Sequence, residues 1–361
     1  MGKLYEQVYE WDNLVAAYDQ VAKGKKHKRE WILYDQKKED ELFNIHNHLV
    51  NHSYVPGGTI TFWVRDPKTR KITRPYLTDR IIHTAVDNIV RPYIESYLIN
   101  ATFACRKGKG VLACAQAYQE EIRSAIGEWG TDFYVLSFDM KKYFQTMYHP
   151  LLEEIYRRAV PDEDLVELMI AILGSYYEGV WYGTKRGCPI GFLPSQNNGN
   201  LNGSIPDHLF KDILGIKHYV RYMDDGRLLL QMREDAMNVL YALDLLATVC
   251  MKQKLNVDKT KIEHFHGYDT LVGYKVYPHH LEAKPATVRR ADRRILKKRR
   301  MYEEGELSAQ ELYDTCQSQI AYLDNTTTEP TSVVIENLNY SKAILDANKK
   351  AAKQESRHNL L

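Results

Sequence analysis

Three carboxylates in this sequence have the neighbours and the spacing that phosphoryl-transfer chemistry asks for. Asp224 and Asp225 stand side by side in Tyr219-Val220-Arg221-Tyr222-Met223-Asp224-Asp225-Gly226-Arg227-Leu228-Leu229-Leu230. The flanking runs read as β-strands, which puts both acids at the tip of a joining turn. Adjacent acids repel, and leaving them unpaired in a partly dry site is costly. A divalent cation on hard oxygen ligands removes that cost and brings phosphate chemistry with it. Asp139 ends a third apolar run, Phe133 to Asp139, where rigid backbone aims its carboxylate. The turn alone also reads as a surface hairpin closed on Asp225-Gly226, because Asp-Gly is a strong hairpin signal.

The chain that must position these acids has 361 residues, enough for two or three subdomains. It is 44% hydrophobic and 27% charged, a globular and soluble balance. No run approaches the ~20 apolar residues of a membrane span, and Met1-Gly2-Lys3-Leu4-Tyr5-Glu6 lacks a signal-peptide core, so the expected compartment is the cytoplasm with no membrane partner. Five cysteines without Cys-x-x-Cys spacing argue for reduced thiols. His46, His48 and His52 do not share one helical face, which argues against a metal site there. Net charge is only +2, but the basic residues are clustered, most densely from Arg289 to Arg300, so any phosphate-tracking surface is local.

In order, residues 1 to about 50 read as helices, and Thr59–Arg65 and Arg70–Leu77 as a basic hairpin turned at Asp66-Pro67-Lys68-Thr69. The planar guanidinium groups of Arg74 and Arg80 suit bidentate contact with a triphosphate. A helix follows from Asp79 to Tyr97, then a basic glycine loop with Arg106, Lys107 and Lys109, whose backbone can approach phosphate at the start of the next helix. No Gly-Lys-Ser/Thr closes that loop, so it is not a P-loop. Phe144 sets an aromatic ring five residues beyond Asp139; packed under a nucleotide sugar, such a ring would exclude a 2′-hydroxyl. Residues 151 to 174 read as helical. The apolar loop Gly187 to Gln196 leads into a helix, 197 to 214, interrupted by Gly199, Gly203 and Pro206. A helix from Glu234 to Cys250, a lysine-bearing strand from Leu255 to Glu263, a strand with a glycine kink from Leu271 to Tyr277, the basic helix after Pro285 and a helix over 308 to 323 complete the reading. The last dozen residues read as a disordered tail.

This succession of basic hairpin, basic glycine loop, strand-Asp-x₄-Phe, Gly-Cys-Pro-Ile-Gly-x₃-Ser-Gln, Tyr-Met-Asp-Asp, strand-Lys, Leu-Val-Gly-Tyr and basic helix resembles the fingers, palm and thumb motifs of reverse transcriptases. The most specific element is the Tyr-Met-Asp-Asp box with a strand-Asp 85 residues upstream. The likeness covers roughly residues 10 to 330. Within the group II intron-like bacterial superfamily, the reverse transcriptases of diversity-generating retroelements look closest, through Ile190-Gly191-Phe192-Leu193-Pro194-Ser195-Gln196, the Asp207-His208 pair, Tyr18 with Gly24-Lys25-Lys26, and Phe103-Ala104-Cys105-Arg106. Departures are the three helix interruptions and Gly226-Arg227 after the acids.

The resemblance implies an α+β, right-hand polymerase fold: N-terminal helices and fingers over 1–132, a palm with an antiparallel sheet over 133–282 carrying a finger insertion around 151–190, and a helical thumb and tail over 283–361. It implies RNA-templated DNA synthesis with two Mg²⁺ ions on Asp139, Asp224 and, more weakly, Asp225. Lys71, Arg74 and Arg80 would bind the triphosphate, Phe144 would gate the sugar, Gln196 would touch the template, and Lys259 would be an acid near the pyrophosphate. Gly273 and Tyr274 would lie near the primer terminus. Arg106, Lys107 and Lys109, with Arg289, Arg290, Arg293, Arg294 and Lys297 of the basic helix, would grip the RNA/DNA duplex. Ile190 of the Ile190-Gly191 loop stands where many reverse transcriptases carry a polar donor, which implies loosened base discrimination and mutagenesis at template adenines. The implied partners are dNTPs, a structured template RNA and a small basic oligomeric accessory protein, in a bacterial or phage-infected cell. An antiviral defence reverse transcriptase of the retron or abortive-infection kind, and a non-catalytic RNA-binding protein on a palm scaffold, are the alternative readings.

Overall fold

The computed structural model describes residues 4–65, 69–181 and 183–358. The chain divides into two compact units, Met1–Gly110 with Phe133–Glu263, and Val111–Asp132 with His264–Leu361. The basic hairpin, the basic glycine loop, Asp139, the apolar loop and the Tyr-Met-Asp-Asp box fall in the first unit, and Leu271-Val272-Gly273-Tyr274 and the basic helix in the second. Residues 111–132, grouped by the sequence with the N-terminal part, belong to the C-terminal unit. There the Tyr118 hydroxyl donates to Asp269, and Gln119 donates to the Tyr277 carbonyl.

The first unit opens with helices α1 (Leu4–Tyr9), α2 (Trp11–Ala22), α3 (Arg29–Asp35) and α4 (Lys38–Val50). Their apolar positions at helical spacing, Leu14, Ala17, Tyr18 and Val21 in α2 and Leu42, Ile45 and Leu49 in α4, are buried in the unit's core. Strands β1 (Thr59–Val64) and β2 (Arg70–Pro75) form the expected antiparallel hairpin. Asp66, Pro67 and Lys68 of its turn lie outside the described residues. Helix α5 (Leu77–Tyr97) runs from it into the core.

The central sheet joins β3 (Tyr134–Asp139), β6 (His218–Tyr222), β7 (Asp225–Leu230) and β8 (Lys261–His264) in the order β6-β7-β3-β8. Its middle strands β3 and β7 are buried along almost their whole length, which is why β3 reads as a near-continuous apolar run and β7 ends in three leucines. Between them the chain forms α7 (Tyr143–Thr146), α8 (His149–Ala159), α9 (Glu163–Gly174), a hairpin of β4 (Gly179–Trp181) and β5 (Thr184–Arg186), and α10 (Pro194–His208). That hairpin has no counterpart in the sequence reading. Helix α10 starts three residues earlier than its sequence suggests and passes through Gly199, Gly203 and Pro206 without a break into a π-helical turn, Leu209–Ile213. Helix α11 (Arg233–Val249) follows β7.

The second unit contains α6 (Val111–Trp129), a three-stranded sheet of β9 (Asp269–Leu271), β10 (Tyr274–Val276) and β11 (Leu281–Ala283), and helices α12 (Pro285–Glu303), α13 (Ala309–Leu323) and α14 (Ser332–His358). The expected glycine kink is a hairpin turn, with Val272 at φ 44° and Gly273 at φ 96° between β9 and β10. Ile295, Leu312, Cys316 and Val334 form the core of its helices. The expected tail is helical through 358. No helix among the described residues is long and apolar enough to cross a membrane.

Candidate active site

Strands β6 and β7 are joined through Met223 and Asp224, with Tyr222 opposite Asp225. The tip is therefore not Asp224-Asp225. Asp225 already belongs to β7, and the turn takes its positive φ of 60° at Met223. Asp225 is also in register with Asp139 on β3. Since side chains alternate along a strand, Asp139, Asp225 and Tyr222 share one face of the sheet, while Phe138, Gly226 and Arg221 share the other.

The second face explains the glycines. A Cβ on Gly226 would overlap the Phe138 ring on the paired strand. On α10, one turn apart, a Cβ on Gly199 would overlap Met223, and one on Gly203 would overlap the Arg221 guanidinium. The residues that look like helix breakers let α10 lie close beneath the acid-bearing turn. Arg221 is fully buried. Its Nε and Nη2 donate to the two Asp207 oxygens, each at 2.7 Å, Nη1 donates to the Met223 carbonyl at 2.7 Å, and Nη2 also reaches Thr102 and the Asn200 carbonyl. Asp207 is closed off by the Tyr219 and Thr102 hydroxyls. A fork-to-carboxylate pair with this many partners fixes the turn's backbone from below.

On the first face the acids are held by cations. Asp139 is 5% exposed and accepts from Asn256 at 2.9 Å and from Lys259. Arg227 donates to Asp225 and to the Gly226 carbonyl. Burial, then the charges of Asp139 and Asp225, push the Asp224 carboxyl up to about 6. Burial works against the charge of Lys259, but the hydrogen bond and the charge of Asp139 raise it above the usual lysine value. Lys259 lies in a turn at 257–259 rather than on the expected strand, of which only Lys261–His264 forms.

Oxygen donors that repel one another fit a hard divalent cation. Among the described residues no three His, Cys, Asp or Glu side chains converge on one metal-binding point. Lys259 pairs with Asp139, and Arg227 with Asp225.

Around these acids the structure gathers part of what the sequence proposed. Phe144 lies beside Gly199 and is tied through its carbonyl to the Cys188 N–H at 2.7 Å. The Ile190 carbonyl accepts from Thr73 N at 2.9 Å, and Gly191 packs on the Thr73 backbone. The apolar loop thus straps β2 to the segment after Asp139. Ile190 and Lys71 line a cavity of about 820 Å³ with Lys142, Gln145 and Arg186, beneath the exposed rings of Trp63 and Trp181. Arg74 is paired with Glu30, and Arg80 lines a different cavity, so the three expected triphosphate ligands are not brought together. Gln196 is exposed on the first turn of α10.

Two expected nucleic-acid contacts have partners within the fold. The Arg106 guanidinium donates to Glu95 and to the Ile99 and Thr102 carbonyls, and Lys109 donates to Asn100 and lies over the Phe103 ring. Lys107 remains exposed. In the second unit Tyr274 is 2% exposed and stacks on Tyr322, whose hydroxyl donates to the Gly273 carbonyl, so its ring is core rather than contact surface. Arg289, Arg290, Arg293, Arg294 and Lys297 are exposed on α12 and make no ion pair among the described residues, whereas Lys298 and Arg299 turn toward Thr315, Glu303 and Tyr340. Sequence reasoning missed Arg221, Arg227 and Asn256. A lone arginine inside the apolar run Tyr219 to Tyr222 was the available signal for the first.

Among known proteins, the family model described as reverse transcriptase (RNA-dependent DNA polymerase) matches residues 65–323. Apo telomerase from Candida tropicalis is similar at 11% identity and a TM-score of 0.50, over 78% of this chain and 62% of that one. Telomerase from Candida albicans, in complex with a fragment of telomeric RNA, is matched at 13% identity and a TM-score of 0.49, over 80% of this chain and 54% of that one. The chain spans between about half and three-fifths of the length of these telomerases. No curated protein matches it. Such identities speak of the fold alone, and the fold is the α+β right-hand polymerase fold. The antiparallel strands that pair Asp139 with Asp225 lie within a family match covering most of the sequence, and the chain belongs to the reverse transcriptase family.

Proposed function

We propose that the chain is an RNA-directed DNA polymerase that copies a retroelement's template RNA into cDNA. The observation that carries this reading is the register of Asp139 against Asp225 on paired strands, with Asp224 at the adjoining turn. Asp139 and Asp224, with Asp225 in a smaller share because Arg227 already pairs with it, would hold two magnesium ions, which when bound activate a primer 3′-hydroxyl and neutralise the triphosphate.

The remaining work falls to this chain's own groups. The cavity at Lys71, Lys142 and Arg186 supplies cations for the triphosphate oxygens, and the strap through Ile190 sets its floor. Lys259, kept protonated beside Asp139, holds a proton at Nζ for the leaving pyrophosphate. Phe144 would exclude a 2′-hydroxyl. A primer-extension assay on an RNA template tests the reading. Asp224→Ala abolishes extension, and extension that survives the substitution refutes the site.

The retroelement role rests on Ile190-Gly191-x₃-Ser195-Gln196 and Asp207-His208, and with it the accessory protein and the mutagenic outcome. Ile190 offers the template pair only an aliphatic chain, so Ile190→Gln narrows the misincorporation spectrum at template adenines. An unchanged spectrum refutes that part alone.

A further inference from the structure

The cavity that Arg80 lines is separate from the one at Lys71. It measures about 280 Å³ and is walled by Gln20, Lys25, Pro75, Arg80, His83, Thr84, Gly191 and Leu193. Its cations are only partly compensated. Glu30, whose charge reaches Arg80, is itself engaged by Arg74 at 3.2 Å, and among the described residues the Arg80 guanidinium lies over the Trp31 ring at 5.9 Å without an ion pair. Lys25 gives one hydrogen bond, to the Val21 carbonyl at 3.1 Å. Burial, and then the proximity of Arg80 and Lys28, lowers the Lys25 pKa, so Lys25 and Arg80 are close enough to repel each other. At the inner wall His83 is fully buried, with no partner for either ring nitrogen among the described residues. Burial pushes its pKa down to about 3, which leaves a neutral ring with one N–H to give.

We propose that this cavity takes a phosphate group of the nucleic-acid strand, held by Arg80 and Lys25 with His83 behind them. Two observations favour a strand phosphate over the incoming nucleotide that the sequence suggested for Arg80. Ile190 lines the Lys71 cavity and Gly191 lines this one, so the two share only the strap between them. The volume falls below the ~300–1,000 Å³ of pockets that enclose whole small molecules, while the Lys71 cavity lies within that range. The identity of the strand as template RNA rests on the polymerase reading; the phosphate site does not.

The test is binding of a labelled RNA template annealed to a DNA primer, measured by fluorescence anisotropy over a salt series in EDTA without nucleotides, beside the dNTP KM in extension. Arg80→Gln and Lys25→Gln each weaken binding roughly 3- to 10-fold and lower the salt slope by about 0.7–0.9, as removal of one neutralised phosphate requires. Arg80→Lys retains most of the affinity, and the dNTP KM moves less than about two-fold in all three. Unchanged affinity and slope in the Lys25→Gln, Arg80→Gln double variant overturn the proposal. So does a raised dNTP KM with unchanged binding, which returns the site to the triphosphate. Lys25 is partly exposed, so its variant carries the test even where Arg80→Gln disturbs folding. Because the binding arm involves no chemistry, it stands whether or not Asp224→Ala abolishes extension.

Discussion

Arg221 and the arginines of α12 put one functional group to opposite uses. Arg221 is wholly buried, and the Asp207 carboxylate, the Met223 carbonyl and two further oxygens take up its donors. Arg289, Arg290, Arg293 and Arg294 stand exposed along a helix whose buried side is only Ala291 and Ile295. A buried guanidinium that lost its carboxylate would face an unscreened desolvation cost, so its neighbourhood is built around it. An exposed one keeps its hydration and is free to exchange it for a phosphate. A cation's role in this molecule is therefore set by where its chain segment lies, not by its residue type. Arg106, whose side chain is 7% exposed, is engaged by Glu95 and two carbonyls for this reason.

The largest expected effect is on Arg221. Arg221→Met strands Asp207 in the core and lowers unfolding free energy by about 3–5 kcal/mol in urea titration. A loss under ~1 kcal/mol would erase the distinction between the two kinds of arginine. Next is the close approach that lets Arg221 and Phe138 share one sheet face. Gly226→Ala drives a methyl into the Phe138 ring and costs about 1–3 kcal/mol, partly restored when combined with Phe138→Leu. Additive losses in the double variant would show that the contact is not the cause.

Asp224 gives a smaller effect with a definite sign. Its carboxyl titrates near 6 in the fold against 3.8 in the unfolded chain, so the fold favours the protonated form. That contribution is fully present below pH ~4 and is lost as pH rises through about 6. Asp224→Asn should therefore stabilise the protein by about 1 kcal/mol at pH 7 in EDTA, allowing for the site's partial exposure, and by nothing at pH 4. A gain independent of pH would point to a cause other than ionisation.

The smallest effect on stability falls on the exposed cations. Replacing Arg290, Arg294 and Lys297 together by Gln changes stability by less than ~0.5 kcal/mol. It lowers the salt slope of RNA/DNA duplex binding by about 0.9 for each phosphate that is no longer neutralised. A large stability loss would mean that these side chains are architectural, like Arg221.

How much was legible follows the same division. The strands around Tyr222-Met223-Asp224-Asp225, the upstream Asp139, the basic hairpin and the helix after Pro285 all show in local pattern, because alternation, apolar runs and charge density are properties of neighbours in sequence. Gly199, Gly203 and Gly226 could be seen but not explained, since what each makes room for is distant in sequence: Met223, Arg221 and Phe138. Lys259 lies beside the acids but on a turn instead of a strand, for a turn and a strand end share the same lysine-rich composition.

By itself the sequence determined the carboxylates, the strands that carry them and the family motifs that join them. Only the tertiary structure decided that the turn closes on Met223 and Asp224, that Asp225 is already held by Arg227, and that Arg221 anchors the turn from the far face. It also split the three expected triphosphate ligands, Lys71, Arg74 and Arg80, among a cavity, an ion pair and a second cavity. The physical reason is that side-chain partners are chosen by packing between segments far apart in the chain, where burial makes an unpaired polar group too costly to tolerate.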